Sequence, residues 1–83
     1  MTPETIVREF LTSELGKDLA QVGPDDSLLE SGTLDSVGVM RLVAFLESRY
    51  GISVEDDDLM PENFDTLGAI TAFIERRRAG ERG

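Results

Sequence analysis

The sequence predicts a small all-α bundle of three main helices, with one or two short helical turns and a long first loop. Three observations carry that reading. Apolar residues recur at helical spacing in three separate stretches, each opened by a capping residue or a proline. The β-like run Ile52-Ser53-Val54 is too short to make a strand with a mate, so it is expected to tuck two side chains under the helices. The chain has 83 residues, which allows one thin core and a single domain over 1–83.

Thr2, Pro3 and Glu4 open the first helix: an N-cap hydroxyl, a proline at the first helical position, then an acid against the dipole. Ile6, Val7, Phe10, Leu11 and Leu15 form its apolar stripe, and Gly16 is its natural stop, giving a helix over about 3–15. From Lys17 to Leu34 the chain reads as loop, with turn chemistry at Gly23-Pro24-Asp25-Asp26-Ser27. A loop that long in a compact domain tends to carry function. Leu19, Val22, Leu28, Leu29 and Leu34 are the residues expected to pin it.

Asp35 caps a second helix running from Ser36 to Tyr50, with Gly51 ending it. Val39, Leu42, Val43, Phe45 and Leu46 suffice for its core stripe, which leaves Val37, Met40 and Ala44 on another side. An exposed apolar strip at a helix start is a candidate partner site. Gly38 inside this helix costs roughly 1 kcal/mol against alanine; either a partner or attached group approaches closely there, or the residue is simply tolerated. Glu55–Asp58 and Pro61–Phe64 read as short helical turns, the second docking Phe64. Asp65 or Thr66 then caps a last helix with the stripe Leu67, Ile70, Phe73 and Ile74, ending in Arg76, Arg77 and Arg78. Residues 79–83 are expected to fray.

Composition excludes whole classes of chemistry. The chain has neither cysteine nor histidine. That removes disulfides, thiolate metal sites, a thiol nucleophile and the commonest general base. No acid in Glu55–Asp58 sits in a calcium-loop pattern, which needs alternating oxygen ligands and a central glycine. The start, Met-Thr-Pro-Glu, lacks the pattern of a signal peptide, and no apolar run has membrane-spanning length. A cytoplasmic monomer without membrane insertion is the expectation. The formal net charge is −9, a field that repels nucleic acid and attracts basic surfaces. The acids concentrate between Asp25 and Asp65, where Arg41 and Arg49 are the only bases.

An Asp-Ser pair before an apolar helix is usually just a cap. Here Leu34-Asp35-Ser36-Val37 leads into a helix with Leu42, Leu46 and Glu47 that ends in Tyr50-Gly51-Ile52. With the order of elements over nearly the whole chain, this resembles the acyl carrier protein family. The later stretch Asp58–Leu67 is similar to freestanding D-alanyl or aminoacyl carriers and to carriers of small extender units. The resemblance implies a carrier rather than an enzyme. It implies a 4′-phosphopantetheine arm placed on Ser36 by a phosphopantetheinyl transferase, with Asp35 capping the helix and contributing to transferase recognition. It also implies that Val37, Met40 and Arg41 face partners: the transferase, an adenylating ligase or acyltransferase that loads the arm, and downstream acceptor enzymes. Many fatty-acid carriers have a richly acidic second helix, whereas this one sets Arg41 and Arg49 against Glu47. That points to specialised rather than housekeeping biosynthesis. The competing expectation is an acidic helical adaptor or inhibitor in which Ser36 is only a cap.

Overall fold

The computed structural model describes residues 2–78. Four α-helices occur in the order α1 (Pro3–Glu14), α2 (Ser36–Tyr50), α3 (Pro61–Phe64) and α4 (Leu67–Arg78), with a 3₁₀ turn at Asp56–Asp58 before α3. Among the described residues there is no strand. The frayed tail expected at 79–83 lies outside the described residues.

Local chemistry sets the helix ends. The Thr2 hydroxyl accepts from Thr5 N–H at 3.3 Å, with Pro3 in the first turn. α1 closes one residue earlier than the stripe suggests, at Glu14; Leu15 is its C-cap, and its side chain still packs partly against the core. α2 runs from Ser36 to Tyr50 as its caps predict. Its end requires glycine, because Gly51 has φ 65°, a left-handed conformation that a side chain disfavours, and its N–H returns to Glu47 O at 2.9 Å.

The core is apolar throughout: Val7, Leu11, Leu28, Leu42, Leu46, Leu67, Ile70 and Ile74 are completely covered. α4 packs against α1, α3 and α2 and so forms the spine of the bundle. Phe10 stacks on Phe45 with ring centroids 4.5 Å apart, joining α1 to α2. Phe64 meets Phe73 at 5.5 Å and docks the single turn of α3 onto α4. Ile52 and Val54 lie partly buried against the core without pairing as a strand.

The long loop is fastened from both directions. Leu19, Leu28 and Leu34 are buried and Val22 and Leu29 partly so, as their spacing in the loop implies. The polar fastening comes from the far end of the chain. Asp65 Oδ1 accepts from the Ser27 hydroxyl at 2.6 Å and from Leu29 N–H at 3.2 Å. Leu28 N–H donates to Asp65 O at 2.6 Å, and Gly68 N–H donates to Pro24 O at 2.9 Å. Thr66 is the cap of α4, its hydroxyl accepting from Ala69 N–H at 3.0 Å. Of the two residues the sequence offered as cap, Thr66 therefore takes the role, and Asp65 is turned towards the loop.

Candidate functional site

Ser36 stands at the first position of α2, exposed. Asp35, in extended backbone, turns its carboxylate over the helix start, where Oδ1 accepts from Gly38 N–H at 2.7 Å. The cap is thus supplied by Asp35. The Ser36 hydroxyl makes no hydrogen bond within the described residues and faces outward.

Gly38 is buried two residues further on, and its missing side chain has a reason inside the chain. A Cβ there would lie 3.1 Å from Leu34 Cδ1, 3.3 Å from Asp35 Oδ1 and 3.4 Å from Leu15 Cδ1. The sequence offered a partner, an attached group or mere tolerance as the reason; the close approach seen is instead made by the protein's own loop and α1 end. It lets the buried Leu34 pack close against the helix at Gly38.

The residues expected to serve the site divide over two sides of the helix start. Ser36 and Met40 share an open groove of about 270 Å³ with Leu29, Val39, Leu59, Met60, Pro61 and Phe64. Asp35, Val37 and Arg41 line a smaller hollow of about 160 Å³ on the other side, with Leu15, Lys17, Thr33 and Gly38. Val37 is 68% exposed and Met40 55%, so both are free to meet a partner. Arg41 is exposed and leans on the end of α1, one guanidinium N–H reaching Glu14 O at 3.4 Å. The sequence reading missed Met60, 44% exposed on the far wall of the groove, and Lys17, which lines the same hollow as Arg41 and Asp35. Met60-Pro61 between acidic residues was the available signal for the first. Lys17 is the sole lysine of the chain but lies far from Arg41 in sequence, and nothing local marked it.

Chemically, the arrangement offers an unactivated hydroxyl at the positive end of a helix beside an apolar groove. Such a hydroxyl is a weak nucleophile without an adjacent base, and this chain has no histidine. Among the described residues no group of acids is arranged to hold a metal ion. Known proteins say what kind of molecule has this layout. A family model for the phosphopantetheine attachment site matches residues 5–74. The chain belongs to the acyl carrier protein family. An acyl carrier protein of an Exiguobacterium species is 35% identical over 80 residues, covering 93% of this chain and 99% of that protein. One from Exiguobacterium sibiricum is 37% identical over 78 residues, covering 90% and 96%. One from Thermotoga maritima is 34% identical over 71 residues, covering 86% and 85%. A chain from a structure described as "Crystal structure of FAD-dependent dehydrogenase" shares the fold with a TM-score of 0.71 at 26% identity, over 82% of this chain and 97% of that one.

As a member of this family the carrier bears a covalently attached 4′-phosphopantetheine, works with partner enzymes and is not itself a catalyst. Family membership also decides against the adaptor reading. The chain's residues suit such an arm: the helix start favours an attached anion through its leading N–H groups and the macrodipole, and the groove beside Ser36 is lined mainly by apolar side chains. Once attached, the arm supplies the thiol that the sequence lacks. No helix among the described residues is long and apolar enough to cross a membrane.

Proposed function

We propose that this carrier takes its arm on Ser36 and presents an acyl or aminoacyl thioester to partner enzymes of a specialised biosynthetic pathway. The observation that carries the attachment site is the division of labour at the start of α2. Asp35 supplies the cap at 2.7 Å, which leaves the exposed Ser36 hydroxyl uncommitted. In the transfer, Ser36 Oγ forms a bond to the coenzyme A phosphorus that bears pantetheine, and the bond to the other phosphate breaks. Adenosine 3′,5′-bisphosphate leaves, and the hydroxyl proton passes to a base of the transferase.

Val37, Met40 and Arg41 form the surface that partners touch, with Asp35 contributing to recognition by the phosphopantetheinyl transferase. An adenylating ligase or an acyltransferase loads the arm, and acceptor enzymes unload it. The sparse charge of α2, with Glu47 opposed by Arg41 and Arg49, supports a contact that is apolar at its centre and a role outside housekeeping fatty-acid synthesis. The work is that of a cytoplasmic monomer. The test is intact mass after incubation with coenzyme A, magnesium and a broad-specificity transferase. The wild type is expected to gain one phosphopantetheine, and Ser36→Ala to gain none. A wild type that stays unmodified under conditions that load a known carrier defeats the reading.

A further inference from the structure

The groove beside Ser36 has three walls of unequal stiffness. Val39 and Met40 belong to α2, a capped helix of 15 residues. Leu29 is held by Asp65 through its own N–H. The third wall, Leu59 to Phe64, consists of Leu59 and the extended Met60, which follow a 3₁₀ turn, and a single turn of α-helix. Helical hydrogen bonding that short gives little rigidity of its own.

Phe64 docks the far end of this wall on Phe73, and its leading end is held by one arginine from α4. Arg77 Nη2 pairs with Asp58 Oδ1 at 2.7 Å, with the two side chains only 12% and 14% exposed. Its Nη1 donates to Ser53 O at 3.1 Å, and its guanidinium lies 5.0 Å from the centre of the Phe73 ring. Asp58 passes the hold on. Its Oδ2 accepts from Glu55 N–H at 2.9 Å, and its carbonyl accepts from Met60 N–H at 2.8 Å and from the Asn63 amide at 2.8 Å. A single fork thus grips both ends of the segment that leads into the groove wall, and its partial burial weakens the screening of its ion pair by salt.

We propose that Arg77 is a latch that sets the width of this groove and thereby the size of thioester the carrier shields. This rests on the attachment of the arm to Ser36. The open groove of about 270 Å³ lies just below the roughly 300–1,000 Å³ of ordinary small-molecule pockets. That accommodates the end of the arm with a short apolar acyl group. A longer chain needs the Leu59–Met60 end of the wall to move, and Arg77 opposes that movement.

Hydrogen exchange on the unloaded chain tests the latch by itself. Arg77→Gln is expected to speed exchange severalfold at the Leu59, Met60 and Asn63 amides while leaving those of α1 unchanged. Unaltered exchange there overturns the proposal whether or not the arm can be attached. The size limit is then read on chains loaded from acetyl-, butyryl- and octanoyl-coenzyme A by the transferase, with intact mass reporting attachment separately. Hydroxylamine cleavage rates are divided by those of the same thioesters on free pantetheine. In the wild type the butyryl group is expected to be protected severalfold and the octanoyl group not. In Arg77→Gln the octanoyl group becomes protected. Asp58→Asn, which keeps the acceptor for Glu55 N–H and removes the charge, provides the same comparison if Arg77→Gln loses its helical circular dichroism. An octanoyl rate that neither substitution changes rules out the latch.

Discussion

Gly38 lets Leu34, Asp35 and Leu15 close on the start of α2. Ordinarily an alanine inside a helix is worth about 1 kcal/mol over glycine. Here the added methyl meets Leu34, Asp35 and Leu15 within 3.4 Å. Leu34 is 1% exposed and cannot swing away, and Asp35 Oδ1 is the atom that caps the helix. Overpacking typically costs 1–3 kcal/mol, so Gly38→Ala is expected to lower stability by about 1 kcal/mol net, measured by chemical denaturation. A more stable variant would show that Leu15 and Leu34 yield at no cost. The sequence exposed the anomaly of a glycine in an apolar helix and left its partner open, because the atoms it accommodates come from the preceding loop and from α1.

At the scale of elements, the caps made α2 readable to the residue: Asp35 in front and Gly51 behind are local chemistry. The short turns at Asp56–Asp58 and Pro61–Phe64 were legible for the same reason, through acid and proline at helix starts. Fastenings between elements were not legible. Asp65 reaches Ser27, 38 residues earlier, and Arg77 reaches Asp58, 19 residues earlier. No periodicity marks such pairs, and in the sequence Asp65 looks like one more cap. The structure assigns it a larger burden. Asp65→Ala strands the Ser27 hydroxyl and the Leu29 N–H, and a lost partner of this kind costs about 1–3 kcal/mol. The expected result is that loss in global stability with faster hydrogen exchange at Leu28 and Leu29. Thr66→Ala removes only the cap of α4 and spares those amides. Equal effects at Leu28 and Leu29 from both substitutions would mean that Asp65 acts through the helix and not through the loop.

For the whole molecule the governing quantity is charge. A net −9 on 83 residues opposes compaction by self-repulsion. Two ion pairs do little to offset it: Arg8 with Glu4 at 3.0 Å is about one-third exposed, and Arg77 with Asp58 is only partly buried. Raising salt from about 0.01 M to about 0.15 M shortens the screening length from roughly 30 Å to roughly 8 Å. The melting temperature is therefore expected to rise by several degrees, about 4–8 °C for each 1 kcal/mol gained. A falling melting temperature would place attraction above repulsion. The grip of Asp65 and Gly68 on the first loop has a consequence in time. During synthesis the serine and all of α2 leave the ribosome well before the residues that fasten the loop in front of them. With Ser36 as the proposed attachment point, modification is expected to follow the emergence of Asp65 and Gly68, which fasten the loop in front of the serine, and not that of α2 alone.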